Sequence, residues 1–135
     1  MHTWLTYFWV ATGGALGSAG RYWLSSIITS RAGGIFPWGT LVVNVSGSFV
    51  IGLLAALAMS EGRPLAAPGF RLFLMTGVCG GYTTFSAFSL QTLHLMQSGK
   101  WLHAGGNIAL SVLLCLIGVW LGHLLGAALN PTKGG

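Results

Sequence analysis

One stretch of the sequence, residues 77–89, holds groups that could bind an ion. It reads Gly-Val-Cys-Gly-Gly-Tyr-Thr-Thr-Phe-Ser-Ala-Phe-Ser and lies within an otherwise hydrophobic segment. Its first five positions contain three glycines, and two threonines follow. These residue types are poor helix formers, so they predict a helix that stops and starts again. Inside a membrane, interrupted backbone is tolerated only where it is buried in protein or lines a wet cavity. Its carbonyl oxygens would then be available as ligands for an ion.

The same stretch carries two aromatic side chains that share a helical face. Phe85 and Phe88 stand three residues apart and would lie on one side of the second half-helix. An alternative interpretation of the whole stretch is a glycine-rich packing seam between helices, with both phenylalanines facing lipid. The residues alone leave these two interpretations open.

Polar side chains recur at helical spacing in two other hydrophobic segments. Asn44 and Ser48 stand one turn apart, and Asn107, Ser111 and Cys115 follow one another at steps of four. An asparagine in a membrane helix is costly unless it is hydrogen-bonded, so it should face protein or water. Both sets fit helix–helix hydrogen bonds, which contribute about 0.6 kcal/mol on average. They fit equally well as donors to an anion that is losing its water.

The composition indicates that these groups lie in a membrane. The chain has 135 residues, of which 53% are hydrophobic and 5% charged, and its mean hydropathy is +0.75. So few charges cannot cover the surface of a soluble domain, which predicts an all-α integral membrane protein with a single domain over residues 1–135. The formal net charge of +5 comes from basic residues that are scattered singly. This pattern is typical of anchors that flank a membrane rather than of a nucleic-acid surface.

Four hydrophobic segments each approach the roughly 20 residues that a bilayer requires, and the third contains the predicted interruption. The first has a face of small residues over positions 13–20, which would let another helix approach closely. Arg21 ends that face, either as an arginine that reaches the membrane boundary or as a vestibule residue at the mouth of an anion path. The predicted spans are approximately 5–28, 38–59, 70–96 and 101–128.

The basic residues are balanced between the two sides of the membrane. With four spans, Arg63, Arg71 and Lys133 fall on one side and Arg21, Arg31 and Lys100 on the other. The positive-inside rule needs an imbalance to set orientation. Such a chain is expected to insert both ways and to pair as an antiparallel, dual-topology homodimer. Two inverted copies would bring their interrupted segments together on the two-fold axis at the membrane midplane.

Other classes of membrane protein find less support in the residues. A small dual-topology exporter coupled to protons needs a carboxylate within the membrane, whereas the one acidic residue, Glu61, falls in a loop. An enzyme would need a paired acid and base, a metal cluster or an activated nucleophile. The histidines and the two cysteines share no metal-ligand spacing. A purely structural subunit remains open on the residues alone.

Three motifs carry a resemblance that covers all four segments. They are Gly13 and Gly14 with Arg21, Gly-Thr-Leu-Val-Val-Asn at 39–44, and above all Thr-Gly-Val-Cys-Gly-Gly-Tyr-Thr-Thr-Phe-Ser-Ala-Phe-Ser at 76–89. With these motifs the chain resembles the Fluc (also called CrcB) fluoride channels of bacteria. The resemblance implies a passive, fluoride-selective channel of the bacterial inner membrane that lowers cytoplasmic fluoride, and no enzyme. It implies a second copy of the chain, fluoride and the lipid bilayer as partners, and no nucleic acid.

The resemblance also assigns roles to residues. It implies two separate fluoride pores in an antiparallel homodimer, lined by Phe85 and Phe88, with Asn44 donating to fluoride. It implies a structural Na+ on the two-fold axis, held by the backbone carbonyls of Gly80 and Thr83. The physics is compatible, because the edge of an aromatic ring is its positive side and because amide and hydroxyl donors can replace water around an anion. The remaining predicted pathway residues are Thr84, Asn107 and Ser111.

Four positions depart from the family pattern. Ala87 stands where threonine is frequent, and Gln91 stands where glutamate is usual. Cys115 and Val119 occupy steps where some relatives carry serine and threonine, so the polar track on the fourth segment is expected to shorten to its first two members. These departures bear on ion occupancy and rate rather than on the channel assignment.

Overall fold

The structure is a computed structural model that describes residues 2–60 and 63–130. Within these ranges the chain forms helices and short connections, with no β-strand among them. The prediction of an all-α protein is therefore confirmed. Glu61, which was predicted to fall in a loop, and Lys133, one of the six basic residues, lie outside the described residues.

Four helical segments follow one another along the chain, and the third is divided in two. The helices are α1, Thr3–Ala32; α2, Trp38–Ala58; α3, residues 68–82; α4, Phe85–Gln97; and α5, Trp101–Ala128, where α3 and α4 are the two parts of the third segment. A short 3-10 turn, Pro64–Ala66, precedes α3. Most of α3 is π-helical, over Leu72–Cys79, which the sequence did not lead us to expect. Such wide turns occur frequently at functional sites.

Two of the described helices, α2 and α5, are long and apolar enough to cross a membrane by length and composition. α1 is longer than its predicted span, but glycine, serine and threonine dilute its apolar character. The third segment is interrupted, so neither α3 nor α4 alone has the length of a span. The two apolar helices support the prediction of a membrane protein, while the count of four spans stays a prediction.

Glycines determine how closely the helices approach one another. A side chain at Gly13 of α1 would collide with the carbonyl oxygen of Phe73 in α3. α3 therefore lies directly against the small-residue face of α1. α2 and α5 meet in the same way, because a side chain at Gly122 of α5 would collide with the carbonyl oxygen of Phe49 in α2. Residues of α2, α3 and α5 also line one common cavity.

A tight turn joins α4 to α5. Gly99 adopts a positive φ of 71°, which glycine tolerates without steric cost. The backbone N–H of Lys100 reaches back to the Leu95 carbonyl oxygen at 2.8 Å, and that of Gly99 to Met96 at 3.0 Å, as in a helix-ending Schellman motif. The chain reverses within three residues, so one face of α5, beginning with the buried Ala104, lies against α4.

Candidate functional site

The interruption of the third segment lies at two threonines with extended backbones. Thr83 has φ −83° and ψ 155°, and Thr84 has φ −151° and ψ 113°. Thr83 closes α3, because its backbone N–H and its Oγ1 both donate to the Cys79 carbonyl oxygen, at 3.0 and 2.9 Å. Thr84 starts α4, because its Oγ1 accepts from the Ala87 backbone N–H at 3.2 Å, the bonding of a helix N-cap. The two threonines thus end one helix and begin the next.

Asn44 of α2 pairs with this extended backbone. Its Nδ2 donates to the Thr84 carbonyl oxygen at 3.0 Å, and its Oδ1 accepts from the Thr84 N–H at 2.7 Å. The pairing replaces the helical partners that an extended residue lacks. A side-chain amide carries two N–H hydrogens, and the pairing with Thr84 uses one of them, so the second hydrogen on Nδ2 is available to another acceptor.

Two side chains of α1 bind the end of α3. Arg21 Nε donates to the Gly81 carbonyl oxygen at 3.1 Å, and Ser18 Oγ donates to the same oxygen at 3.4 Å. The last carbonyls of a helix carry partial negative charge, which a cationic side chain stabilises. Arg21 therefore contacts the backbone next to the interruption, and its predicted place at the mouth of an anion path stays a prediction.

Two carbonyl oxygens near the interruption remain for another partner. Those of Gly80 and Thr83 receive no hydrogen bond from any side chain in the described part of the chain. Gly80 is exposed on the single chain, and the nearest atom to a Cβ built there would be the Met75 carbonyl oxygen at 3.9 Å. Carbonyl oxygens at such helix ends are suited to coordinate Na+. Among residues 2–60 and 63–130 no cluster of His, Cys, Asp and Glu could hold a metal ion by side chains.

An open cavity of about 390 Å³ lies beside the interruption, between α2, α3, α4 and α5. The rings of Phe85 and Phe88 stand 5.4 Å apart between centroids at its wall, with their planes inclined by 50°. Phe85 is 78% exposed on the single chain, whereas Phe88 is 9% exposed. Only Phe88 is therefore held on all sides by the chain itself. The predicted site residues in the lining are Asn44, Gly80, Thr83, Thr84, Phe85, Phe88 and Ser111.

A buried hydrogen-bond network joins α4 to α5 next to this cavity. Thr92 Oγ1 donates to the Phe88 carbonyl oxygen at 2.7 Å, and Asn107 Nδ2 donates to Thr92 Oγ1 at 3.0 Å. Ser111 Oγ donates to Asn107 Oδ1 at 3.3 Å. The side chains of Thr92, Asn107 and Ser111 are at most 7% exposed, and Ser111 is the one member that lines the cavity.

A second cavity, of about 320 Å³, lies between α2 and α4 and is also lined by the end of α1 and the loop that follows it. Thr40 lines it one turn before Asn44 on α2, and Gln91 lines it one turn after Phe88 on α4. Gln91 Oε1 is buried and has no hydrogen-bond partner among the residues that the structure describes. The position at which the family that the chain resembles usually has glutamate thus carries an amide whose oxygen lacks a partner among the described residues.

The predicted site residues fall into three groups. Most line the first cavity, Asn107 reaches it through Ser111, and Arg21 contacts the backbone of Gly81. Thr92 was not predicted from the sequence, because a single threonine in a helix has no spacing signal of its own. The tight turn after α4 could have indicated it, since that turn brings α4 opposite Asn107.

Known proteins are similar in sequence to this chain over almost its whole length. A family model described as CrcB-like protein, Camphor Resistance (CrcB), matches residues 8–123. A protein of Methylocella silvestris named fluoride-specific ion channel FluC is 54% identical over 130 residues, which are 96% of this chain and 99% of the relative. Relatives of the same name from Opitutus terrae and Rhodospirillum rubrum are 56% and 58% identical, over 95% and 93% of this chain and 97% and 98% of their own lengths. Because the family model and these relatives each cover most of the chain, the chain belongs to the CrcB family.

Proposed function

We propose that this chain is a fluoride-selective ion channel that lets fluoride leave the bacterial cytoplasm passively across the inner membrane and so lowers cytoplasmic fluoride. The family match and the relatives named fluoride-specific ion channel support the proposal. The observation that carries it is the first cavity, in which an amide, hydroxyls and aromatic rings converge. The family match and the names of these relatives also support a transporter rather than an enzyme.

The proposed fluoride path runs along the wall of this cavity. Fluoride is small and strongly hydrated, so a dry path has to replace its water with donors. Asn44 supplies the hydrogen on Nδ2 that its pairing with Thr84 does not use. Phe85 and Phe88 can turn their positive ring edges to the anion. Thr84, Ser111 and, behind it, Asn107 supply the remaining polar groups.

A structural Na+ is proposed at the carbonyl oxygens of Gly80 and Thr83, on the axis that relates two copies of the chain. The proposal is supported by the two oxygens, which accept nothing from the described side chains, and by the open space at Gly80. The ion would supply positive charge where carbonyl dipoles from two copies meet. Arg21 would support this site by holding the neighbouring Gly81 carbonyl, and its guanidinium would lie at the vestibule of the pore.

The proposed working unit is an antiparallel, dual-topology homodimer with two pores, in which each chain is one four-helix domain that spans the lipid bilayer four times. The interruption would then lie at mid-membrane. The exposure of Phe85 supports this proposal, because a ring that lines a pore has to be covered from a second side. Two of the described basic residues, Arg63 and Arg71, would lie on one side of the membrane, and three, Arg21, Arg31 and Lys100, on the other. A difference of one positive charge is a weak signal for a single orientation.

A small dual-topology exporter of another substrate is the alternative function. Coupling to protons would need a carboxylate in the transport path. The lining residues of both cavities contain no Asp or Glu. A passive path is therefore the better interpretation of this wall.

The test is release of anions from liposomes that hold the purified protein. Vesicles loaded with fluoride or with chloride are diluted into a buffer that contains neither halide and whose own anion is impermeant, and a potassium ionophore balances the charge. Rapid release of fluoride with retention of chloride is expected. Equal release of the two halides, or retention of both, would contradict the proposal.

A further inference from the structure

We propose that Thr92 is a positioning residue that determines which hydrogen-bond group fluoride meets at Ser111; the inference rests on the channel function proposed above. Thr92 is not in the lining of the cavity and is 6% exposed. It acts through Asn107, which is 2% exposed and lies between Thr92 and Ser111 in the network. The role of Thr92 is thus to orient other side chains without touching the ion.

The direction of each hydrogen bond follows from the chemistry of its partners. A carbonyl oxygen can only accept, so the 2.7 Å contact between Thr92 Oγ1 and the Phe88 carbonyl uses the single hydroxyl hydrogen of Thr92. Toward Asn107, Thr92 can then only accept. Asn107 has to present Nδ2 to Thr92, which it does at 3.0 Å, and its Oδ1 accepts from Ser111.

Ser111 therefore donates its one hydrogen to Asn107 and offers lone pairs to the cavity. Lone pairs repel an anion, so fluoride gains a donor here only when the Ser111 hydrogen leaves Asn107 Oδ1. That contact, at 3.3 Å, is the longest of the three in the network and hence the weakest. The Ser111 hydroxyl donates to fluoride while the ion is beside it and donates to Asn107 Oδ1 again when the ion leaves. Such competition keeps fluoride binding weak enough for the ion to move on.

Removing the Thr92 hydroxyl removes the constraint on the amide. In Thr92→Val, which keeps the shape of the side chain, the Asn107 amide is free to invert and to donate Nδ2–H to Ser111. The Ser111 hydrogen then faces the cavity permanently and holds fluoride more tightly. We expect the half-saturating fluoride concentration for flux and the maximal flux both to fall by about two- to tenfold, the range that one hydrogen bond corresponds to.

The experiment measures fluoride flux against fluoride concentration in liposomes that hold wild-type protein or a variant. Thr92→Ser keeps the hydroxyl and is expected to restore wild-type behaviour. Thr12→Val is the matched control, because Thr12 Oγ1 makes the same kind of bond to the carbonyl four residues before it, at 2.8 Å to Phe8, outside the cavity and the network. Because Thr92 acts through Ser111, Thr92→Val is expected to add no further change to Ser111→Ala. If Thr92→Val does not assemble, Asn107→Leu removes the competing Oδ1 and is expected to lower the half-saturating concentration in the same direction.

A packing defect would lower the maximal flux without lowering the half-saturating concentration. An unchanged half-saturating concentration in Thr92→Val, or in Asn107→Leu in its place, would overturn the positioning role. So would equal effects of Thr92→Val and Thr92→Ser, or an independent effect of Thr92→Val in the Ser111→Ala background. Wild-type liposomes that release no fluoride would be a different result, which overturns the proposed function and this inference with it.

Discussion

Asn44 and Thr84 form a two-sided pairing in which a side-chain amide binds both polar groups of one extended residue. The N···O distances are 3.0 Å for donation by Nδ2 and 2.7 Å for acceptance by Oδ1. The pairing attaches α2 to the point at which α3 and α4 are discontinuous. Asn44 thus stabilises the interruption with part of its amide and keeps one Nδ2 hydrogen for a further acceptor.

Asn44→Asp removes the Nδ2 donor without changing the size of the side chain, so its effects cannot be ascribed to a change in packing volume. The substitution keeps the shape but replaces the Nδ2 donor by an oxygen, so the Thr84 carbonyl loses its partner. We expect a loss of stability of about 1–3 kcal/mol and loss of fluoride flux, because a carboxylate at the wall also repels the anion. Thermal unfolding and liposome efflux measure the two effects.

Asn130→Asp is the matched control for that substitution. Asn130 Nδ2 donates to the Ala56 carbonyl oxygen at 3.3 Å, outside both cavities. We expect this variant to keep its fluoride flux. Wild-type flux and stability in Asn44→Asp would mean that Asn44 neither donates to fluoride nor supports the interruption.

Phe85→Ile and Phe88→Ile test the aromatic wall of the cavity. Each substitution keeps apolar bulk and removes the positive ring edge. We expect fluoride flux to fall roughly tenfold or more in each variant, the effect of ~1.4 kcal/mol. Phe88→Ile is expected to cost up to about 1.5 kcal/mol of stability as well, because Phe88 is 9% exposed on the single chain and Phe85 is 78% exposed.

The control for the two phenylalanines is Phe8→Ile, at a ring that is 57% exposed on α1 and lies outside the cavity. Efflux of fluoride is measured with the oligomeric state checked by size-exclusion chromatography. Unchanged efflux from both Phe85→Ile and Phe88→Ile, with assembly intact, would show that the ion does not pass these rings.

If carbonyl oxygens hold the proposed Na+, assembly and fluoride flux depend more on the shape of the backbone than on the side chain of Thr83. Thr83→Ser keeps the hydroxyl that donates to Cys79 and is expected to behave as wild type. Gly80→Leu fills the open space at Gly80 and is expected to abolish assembly or flux, although none of the described residues would clash with its Cβ. Gly105→Leu, at another helical glycine with open space around it, is the control.

Replacing Na+ in the buffer by a large organic cation tests the ion itself. Fluoride flux or dimer stability is expected to decline in wild-type protein when Na+ is withdrawn. Fluoride flux and dimer stability of the wild-type protein that do not change without Na+, together with a fully active Gly80→Leu variant, would contradict the proposed Na+ site.

Dual topology predicts that the C-terminus is found on both faces of the membrane. A tag placed there should react with an impermeant reagent in intact cells for about half of the copies, and the rest should react only after permeabilisation. Two or three lysines added after Asn130 are expected to bias the population to one orientation and to lower the yield of dimer. A tag that is reached from one face alone in the unmodified chain would contradict the antiparallel pairing.

The sequence predicts the helical class and the approximate helix ends because hydrophobicity and glycine content are local properties. It also predicts that most site residues belong together, since Phe85 and Phe88 share a helix face and Asn44 is costly in a membrane unless it is bonded. The exact point of interruption was harder to predict. Gly80 and Gly81 are helical, and the extended residues are Thr83 and Thr84.

The pairing of side chains with specific backbone groups could not be read from spacing. Asn44 reaches Thr84 and Arg21 reaches Gly81 across sequence separations of 40 and 60 residues. These contacts depend on how closely glycines let α1, α2 and α3 approach. Thr92 was missed for the same reason, because its partner Asn107 belongs to the neighbouring helix.

The reversal potential under opposed anion gradients tests most directly whether the protein is a passive fluoride channel. Purified protein is fused into a planar bilayer with a fluoride gradient in one direction and a chloride gradient in the other. A passive, selective channel gives a current that reverses at the equilibrium potential of fluoride and does not shift when a pH gradient is imposed. Reversal near the chloride potential, or a reversal potential that follows the pH gradient, would contradict it.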